Sequence, residues 1–294
     1  MFKNFRSLTS NFMTIVSGGT RDVENHIESV LRFLSNNMIV NHKSIDVFER
    51  IRNGILCPSV FEFWIDHDSE CRVVSMAYLR DGDPIFIHTS SATSLEFSKF
   101  VLTRGKEFQG TEVSLDLLFS SLDSNEFSVC RDKYLMCCKS EDLSELVHID
   151  QPFSCRIGEA KDTSQLTALL CEFAEAVKCA VIQFSTITEM MSRGRFFVAC
   201  ANGTDTIASC VYVTNPTLSV SRISYVFTQG PYRRNGLSKL LVSTATKWAL
   251  GAADACTLFV DCANHAALST YKSVGFKVVA KHQVRNLERY LAYQ

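Results

Sequence analysis

Net charge is the first thing this 294-residue sequence lacks: 30 Lys and Arg stand against 31 Asp and Glu, leaving −1. So balanced a chain has no electrostatic pull on nucleic acid, and none is expected as a partner. Long apolar runs are missing too. No stretch reaches the ~20 residues that cross a bilayer as a helix, so no membrane partner is expected. The 12 cysteines include no Cys-x-x-Cys, and Cys137-Cys138 is the one close pair. With no secretory signal ahead of them, they read as reduced, mostly buried thiols of an intracellular protein. Histidines and cysteines are scattered without metal-ligand spacing, so no metal is expected. No low-complexity run or short repeat occurs. A cytoplasmic location is the resulting expectation. A mitochondrial one stays open, because the first 21 residues carry Lys3, Arg6 and Arg21, many serines and threonines, and no acid.

What is present is ample material for a core: 46% apolar residues against 21% charged, over the length of one large domain or two ordinary ones. In the first half, Val23, Ile27, Val30, Leu31 and Leu34 share a helical face. Ile45, Phe48 and Ile51 mark a second helix that stops near Asn53-Gly54. Strands are expected at 60–65, 72–79 and 85–88, with Asp81-Gly82-Asp83-Pro84 as the strongest turn. Helices follow at 93–104 and 113–122, and 134–138 is a closing strand. The polar, acidic stretch 140–152 reads as a domain boundary, placed near Asp150, which makes the domains 1–150 and 151–294.

The second half starts with a strand at 153–157. Asp162-Thr163-Ser164-Gln165 has the spacing of a capping box, ahead of a helical stripe of Leu166, Leu169, Leu170, Phe173 and Val177. A short helix at 186–192 precedes strands at 195–200 and 207–213, joined by an Asn202-Gly203 hairpin turn. Ile223, Tyr225 and Phe227 alternate along a strand at 220–228, which Gly230-Pro231 stops. Leu237, Leu240, Leu241, Ala245 and Trp248 then form a helical stripe to Leu250. A strand at 257–262, a helix at 265–274 capped by Asn264 and ended by Gly275, and strands at 277–281 and near Arg289-Tyr290 close the chain.

The whole is organised around the junction Arg233-Arg234-Asn235-Gly236-Leu237-Ser238, between a strand and a helix. Such a junction offers unpaired backbone N–H groups at the positive end of a helix dipole, which suits a phosphate. Gly236 allows close approach and two arginines add charge. It is not a nucleotide P-loop, since Lys239 is misplaced for one, and it lacks the second glycine of a dinucleotide loop. Arg-x-x-Gly-x-Ser resembles the Gln/Arg-x-x-Gly-x-Gly/Ala signature of the GNAT superfamily of N-acetyltransferases, with Ser238 at the last small position. A second landmark of that family is similar to Asn264-x-x-Ala267-x-x-x-Tyr271-x-x-x-Gly275-Phe276. The order of elements over 153–294 also resembles the GNAT fold. The first half resembles it more faintly and has no Arg-x-x-Gly, so it looks like a degenerate repeat. The two-part layout is similar to that of glycine N-acyltransferases.

The resemblance implies an α/β (α+β) fold, a mixed and mostly antiparallel sheet flanked by helices, with acetyl-CoA as co-substrate. The N–H groups from Arg233 and Arg234 through Asn235, Gly236, Leu237 and Ser238 would hold the pyrophosphate. Val226 and Thr228 would pair with the pantetheine arm as an added strand, and Asn264 would touch the same arm. Tyr271 would be catalytic, protonating the leaving thiolate. The implied activity is acetyl transfer to a primary amine by direct attack. A longer acyl donor, as in glycine N-acyltransferases, and a CoA-binding or protein-interaction module without turnover stay open beside it. The acceptor is expected to be a small amine or amino acid, with a peptide left open. The oligomeric state is unread. The central strand carries no Asp, Glu or His to serve as base; the resemblance puts Glu189 in the segment that lines acceptor sites and Asp261 at the end of the strand that splays from the central one, with His265 a weaker candidate, and none is chosen.

Overall fold

The computed structural model describes residues 13–16, 20–80, 83–90, 94–123, 126–145, 153–177, 184–201 and 204–288. The Asp150 boundary, the Asn202-Gly203 turn and Arg289-Tyr290 lie outside them. The chain divides into two compact units. One is Met1–Tyr134 with Ala280–Gln294; the other is Leu135–Val279.

In chain order the first unit holds β1 (Met13–Val16), α1 (Thr20–Ser35), α2 (Met38–Arg52), β2 (Phe61–His67), β3 (Val73–Arg80), β4 (Ile85–Thr89), α3 (Leu95–Leu102), β5 (Glu107–Thr111), α4 (Glu112–Leu118) and the start of β6 (Phe127–Cys138). The period of two in β2 and β3 sorts side chains onto two faces. Phe63, Ile65, Met76 and Tyr78 pack with Val30, Leu34, Ile45 and Phe48 of α1 and α2. Trp64, Ala77, Ile85 and Ile87 pack with Phe97 and Val101 of α3 and Leu115 and Leu118 of α4. Each buried Val, Leu, Ile, Phe or Met among them contributes roughly 1.5–3 kcal/mol by leaving water. Strands β1 to β4 pair antiparallel in order, and β4 pairs parallel with β5. The sequence signals β5 poorly, because Glu-Phe-Gln-Gly-Thr holds a single bulky apolar residue. That residue, Phe108, is fully buried.

The second unit begins within β6 and continues through β7 (Phe153–Ile157), α5 (Thr163–Val177), α6 (Phe184–Arg193), β8 (Gly194–Ala201), β9 (Ile207–Thr214), β10 (Val220–Thr228), α7 (Leu237–Leu250), β11 (Ala255–Asp261) and α8 (His265–Val274). Its strands lie in the order β6-β11-β10-β9-β8-β7. β7, β8, β9 and β10 pair antiparallel in succession, and β10 pairs parallel with β11. Leu166, Leu169 and Leu170 of α5 pack on Phe196, Val198, Cys210 and Phe227.

The last strand differs from expectation. β12 (Lys277–Leu287) is one continuous strand. From Ala280 it belongs to the first unit, where His282–Asn286 pair antiparallel with β5 and Val284 and Leu287 are buried. Conversely, Leu135–Cys138 at the end of β6 belong to the second unit. The chain thus changes units in the middle of two strands.

The start of α5 also differs. Asp162 does not cap that helix through Gln165. It closes a preceding 3-10 turn, where Glu159 and Asp162 form the capping box. Asp162 is buried and takes a bidentate pair from Arg156, Nη1 at 2.6 Å and Nη2 at 2.8 Å. Gln165 instead reaches the turn between β8 and β9, accepting from Ile207 N and donating to Asp205 O. The bidentate guanidinium partner outcompetes the local cap. The described cysteines are free thiols, and Cys137, Cys138, Cys200, Cys210 and Cys256 are buried.

Candidate functional site

β10 is paired with β11 only at its start, Val220–Arg222 against Ala255–Thr257. On its other side the register with β9 shifts between Ser224 and Phe227, and Tyr225 sits at φ 53°. A β-bulge of this kind re-aims the backbone groups of one strand. The direction is readable from what the carbonyls meet. Tyr225 O accepts from Cys210 Sγ at 3.6 Å, Phe227 O accepts from Ser209 Oγ at 2.8 Å, and Gln229 N donates to Ala208 O. All three donors or acceptors lie on β9. Strand alternation therefore turns the backbone groups of Val226 and Thr228 to the β11 side, past the point where β11 has left the ladder.

The junction that follows is built from local signals. Pro231 sits in a 3-10 turn, Gly230–Tyr232. Arg234 and Gly236 both adopt left-handed backbone, φ 67° and 74°, and Gly236 is the N-cap of α7. Two left-handed residues bracketing Asn235 turn the chain sharply into the helix N-terminus, a backbone form that suits an anion nest. Arg233 and Arg234 are exposed. Arg233 folds back, its Nε donating to Thr228 O at 3.0 Å and its guanidinium lying 5.6 Å from the Phe227 ring. Asn235 Nδ2 donates to Tyr232 O at 3.1 Å, inside the turn. Ser238, on the first turn of α7, meets Thr228 hydroxyl to hydroxyl at 3.0 Å. The structure therefore brings Thr228, Arg233 and Ser238 into one bonded group, with Leu237 buried beneath as the anchor of the helix.

Asn264 caps α8, accepting from Ala267 N at 3.1 Å, and is exposed. Gly275 ends α8 in left-handed backbone, φ 117°. Tyr271 lies between them, 7% exposed, edge-on to Phe276 at 6.2 Å. Burial pushes its phenol up to about 12. No contact joins Tyr271 or Asn264 to the Thr228–Arg233–Ser238 group among the interactions described.

Residues 164–276 match the model of the Acetyltransferase (GNAT) family. They form a GNAT acetyltransferase domain. A search of curated proteins finds no match. Among solved structures, a tandem GNAT protein from the clavulanic acid biosynthesis pathway is 10% identical over 93% of this chain and 97% of its own, with a TM-score of 0.64. A GCN5-related N-acetyltransferase from Sphaerobacter thermophilus is 12% identical over 94% and 96%, TM-score 0.67. An acetyltransferase of the GNAT family from Colwellia psychrerythraea is 10% identical over 93% and 97%, TM-score 0.58. At such identities the likeness is one of fold. It extends over both units, whose fold is similar to that of a tandem GNAT protein.

The candidate bases Glu189 and Asp261 hold local partners. Glu189 is exposed and pairs with Arg193 at 3.4 Å. Asp261 accepts from Ala263 N at 2.8 Å in its own turn. His265 is exposed at the start of α8.

The first unit's matching helix N-terminus, that of α3, is taken by the protein's own groups. β3 and β4 pair in unbroken register from Tyr78↔Phe86 to Ser75↔Thr89, without a bulge. At the N-terminus of α3, Ser94 accepts from Phe97 N, and the buried Asp66 accepts from Ser94 N at 2.8 Å and Ser94 Oγ at 3.1 Å. A carboxylate of the protein itself thus stands where the GNAT domain has its open nest. Asp66 lies just past the strand expected at 60–65 and 28 residues upstream of Ser94, with no local signal linking the two; only pairing of β2 beside β3 brings it there.

Proposed function

We propose that the second unit is an acyl-CoA-dependent N-acyltransferase that passes an acetyl group to a primary amine. One observation carries the reading: in a single GNAT domain, the stretch of β10 beyond its ladder with β11 runs straight into the nest at the N-terminus of α7, where Arg234 and Gly236 are left-handed. The nest suits a pyrophosphate, since N–H groups and helix dipole both favour negative charge there. The backbone of Val226 and Thr228 suits an extended amide-bearing arm. Binding both ends at once would set a thioester at the bulge. There an N–H of the strand would take the charge that develops on the thioester oxygen.

Tyr271 is the residue proposed to return a proton to the departing thiolate. An ordinary phenol near ~10 stands close to a thiol near ~8.5, and burial moves Tyr271 away from that match. The phenol is fully protonated at neutral pH, and the gap to a solvated thiol is wider. A thiolate leaving beside the same apolar walls becomes more basic for the same reason, which narrows the gap again. With Glu189 and Asp261 engaged at home, the amine's own proton would leave through water.

Calorimetric titration of the full chain with CoA tests the binding, and thiol release from acetyl-CoA and longer acyl-CoAs against an amine and amino-acid panel tests the chemistry. Absence of CoA binding overturns the assignment. Binding without thiol release from any donor supports the second reading, a CoA-binding module without turnover, which the missing strand carboxylate favours.

A further inference from the structure

Ser209 lies on β9, fully buried, and nothing in the sequence marks it. Its hydroxyl is 2.8 Å from Phe227 O and 2.7 Å from Thr228 Oγ1; Thr228 Oγ1 is in turn 3.0 Å from Ser238 Oγ. Each hydroxyl has one proton, and a carbonyl can only accept. The chain therefore has one direction. Ser209 gives its proton to Phe227 O, Thr228 gives its proton to Ser209, and Ser238 gives its proton to Thr228. Ser238, at the second position of α7, is left with its proton turned inward.

We propose that Ser209 is a positioning residue for the coenzyme A site. Through Thr228 it ties the first turn of α7 to the end of β10 and holds the Ser238 hydroxyl inward, so that the phosphate is met by the nest's backbone N–H groups. The hydroxyl at position 238 is then a strut, which gives a physical reason for serine where the family signature has glycine or alanine. This inference rests on the coenzyme A reading of the site. A preorganised nest binds more tightly than one that must order on binding.

The test is calorimetry of the full chain with free CoA, plus steady-state kinetics with acetyl-CoA. Ser209→Ala and Ser238→Ala should each weaken CoA binding about 3- to 10-fold, the range for one buried hydrogen bond. Because either change breaks the same chain, the double variant should be no weaker than the worse single one. Ser209→Ala should raise KM for acetyl-CoA more than it lowers kcat. Thr228→Val should match Ser209→Ala, and Thr228→Ser, which keeps the hydroxyl, should restore binding; this pair carries the test if Ser209→Ala fails to fold. Multiplicative losses in the double variant would mean that Ser238 meets the phosphate independently, and would overturn the inference. So would unchanged or tighter binding by Ser209→Ala while the wild type binds CoA. No binding by the wild type overturns the reading of the site along with it.

Discussion

Arg234 is held at φ 67° and is exposed, so its backbone and its side chain can be set against each other. A left-handed conformation costs an L-residue roughly 1–2 kcal/mol. Glycine has no such cost, but loses about 0.5–1 kcal/mol through the greater freedom of the unfolded chain. Arg234→Gly should therefore stabilise the second unit by about 0.5–1 kcal/mol, which for a unit of this size raises Tm by roughly 1–4 °C. The same change removes a guanidinium from the nest. An exposed charge facing a phosphate is worth on the order of 1 kcal/mol, so CoA affinity should fall about fivefold. Losing one cation should also flatten the dependence of Kd on salt. Gly236→Ala makes a contrasting control: at φ 74° it introduces strain and removes no charge, so stability and affinity should fall together. Thermal melts and calorimetry at two salt concentrations read all of this. If Arg234→Gly leaves Kd and its salt dependence untouched, Arg234 is a solvated turn residue and the nest does not face a phosphate. If its Tm falls, the left-handed backbone was not costing stability.

Tyr271→Phe keeps the buried ring and should lower kcat by ~10²-fold with little change in CoA affinity; a wild-type kcat in presteady-state turnover returns Tyr271 to packing alone. Gly275→Ala should destabilise by at least about 2 kcal/mol, because a Cβ there would sit 2.0 Å from Asp142 O and φ is 117°; an unchanged melt refutes that account. The first unit should weaken in acid. Burial lowers His88 to about 3 and His282 to about 4. Their unprotonated forms stabilise the fold fully above the unfolded value near 6.5, and that contribution is lost as pH falls from there toward 3–4. The slope is about 1.4 kcal/mol per pH unit for each, or on the order of 2 kcal/mol each by pH 5. Urea melts between pH 7.5 and 5 should show this, and His88→Gln should flatten the slope; an equal slope in that variant refutes the assignment. Finally, titration should give one CoA per chain, since Asp66 fills the α3 junction; a stoichiometry of two would show that the closed junction opens.

Much of this protein is local, and what is local could be read from one sequence. The stripe Leu166, Leu169, Leu170 has the period of a helix with one apolar face, Asn264 caps because its oxygen reaches three residues on, and Arg-x-x-Gly-x-Ser curls because Gly236 tolerates left-handed backbone. The family and the nest followed from such features. Tertiary structure decided what depends on residues distant in sequence. Asp162 left the cap expected of it because Arg156 stands beside it on β7. β12 joined the first unit because β5 had an edge for it, although β5 itself carries only Phe108 as a signal. The two most consequential placements are of this kind. Asp66 closes one junction from 28 residues away, and Ser209 braces the other across β9 and β10. A hydrogen bond between neighbouring strands leaves no periodicity in the sequence, because its partners are chosen by register, and register exists only once the sheet has formed.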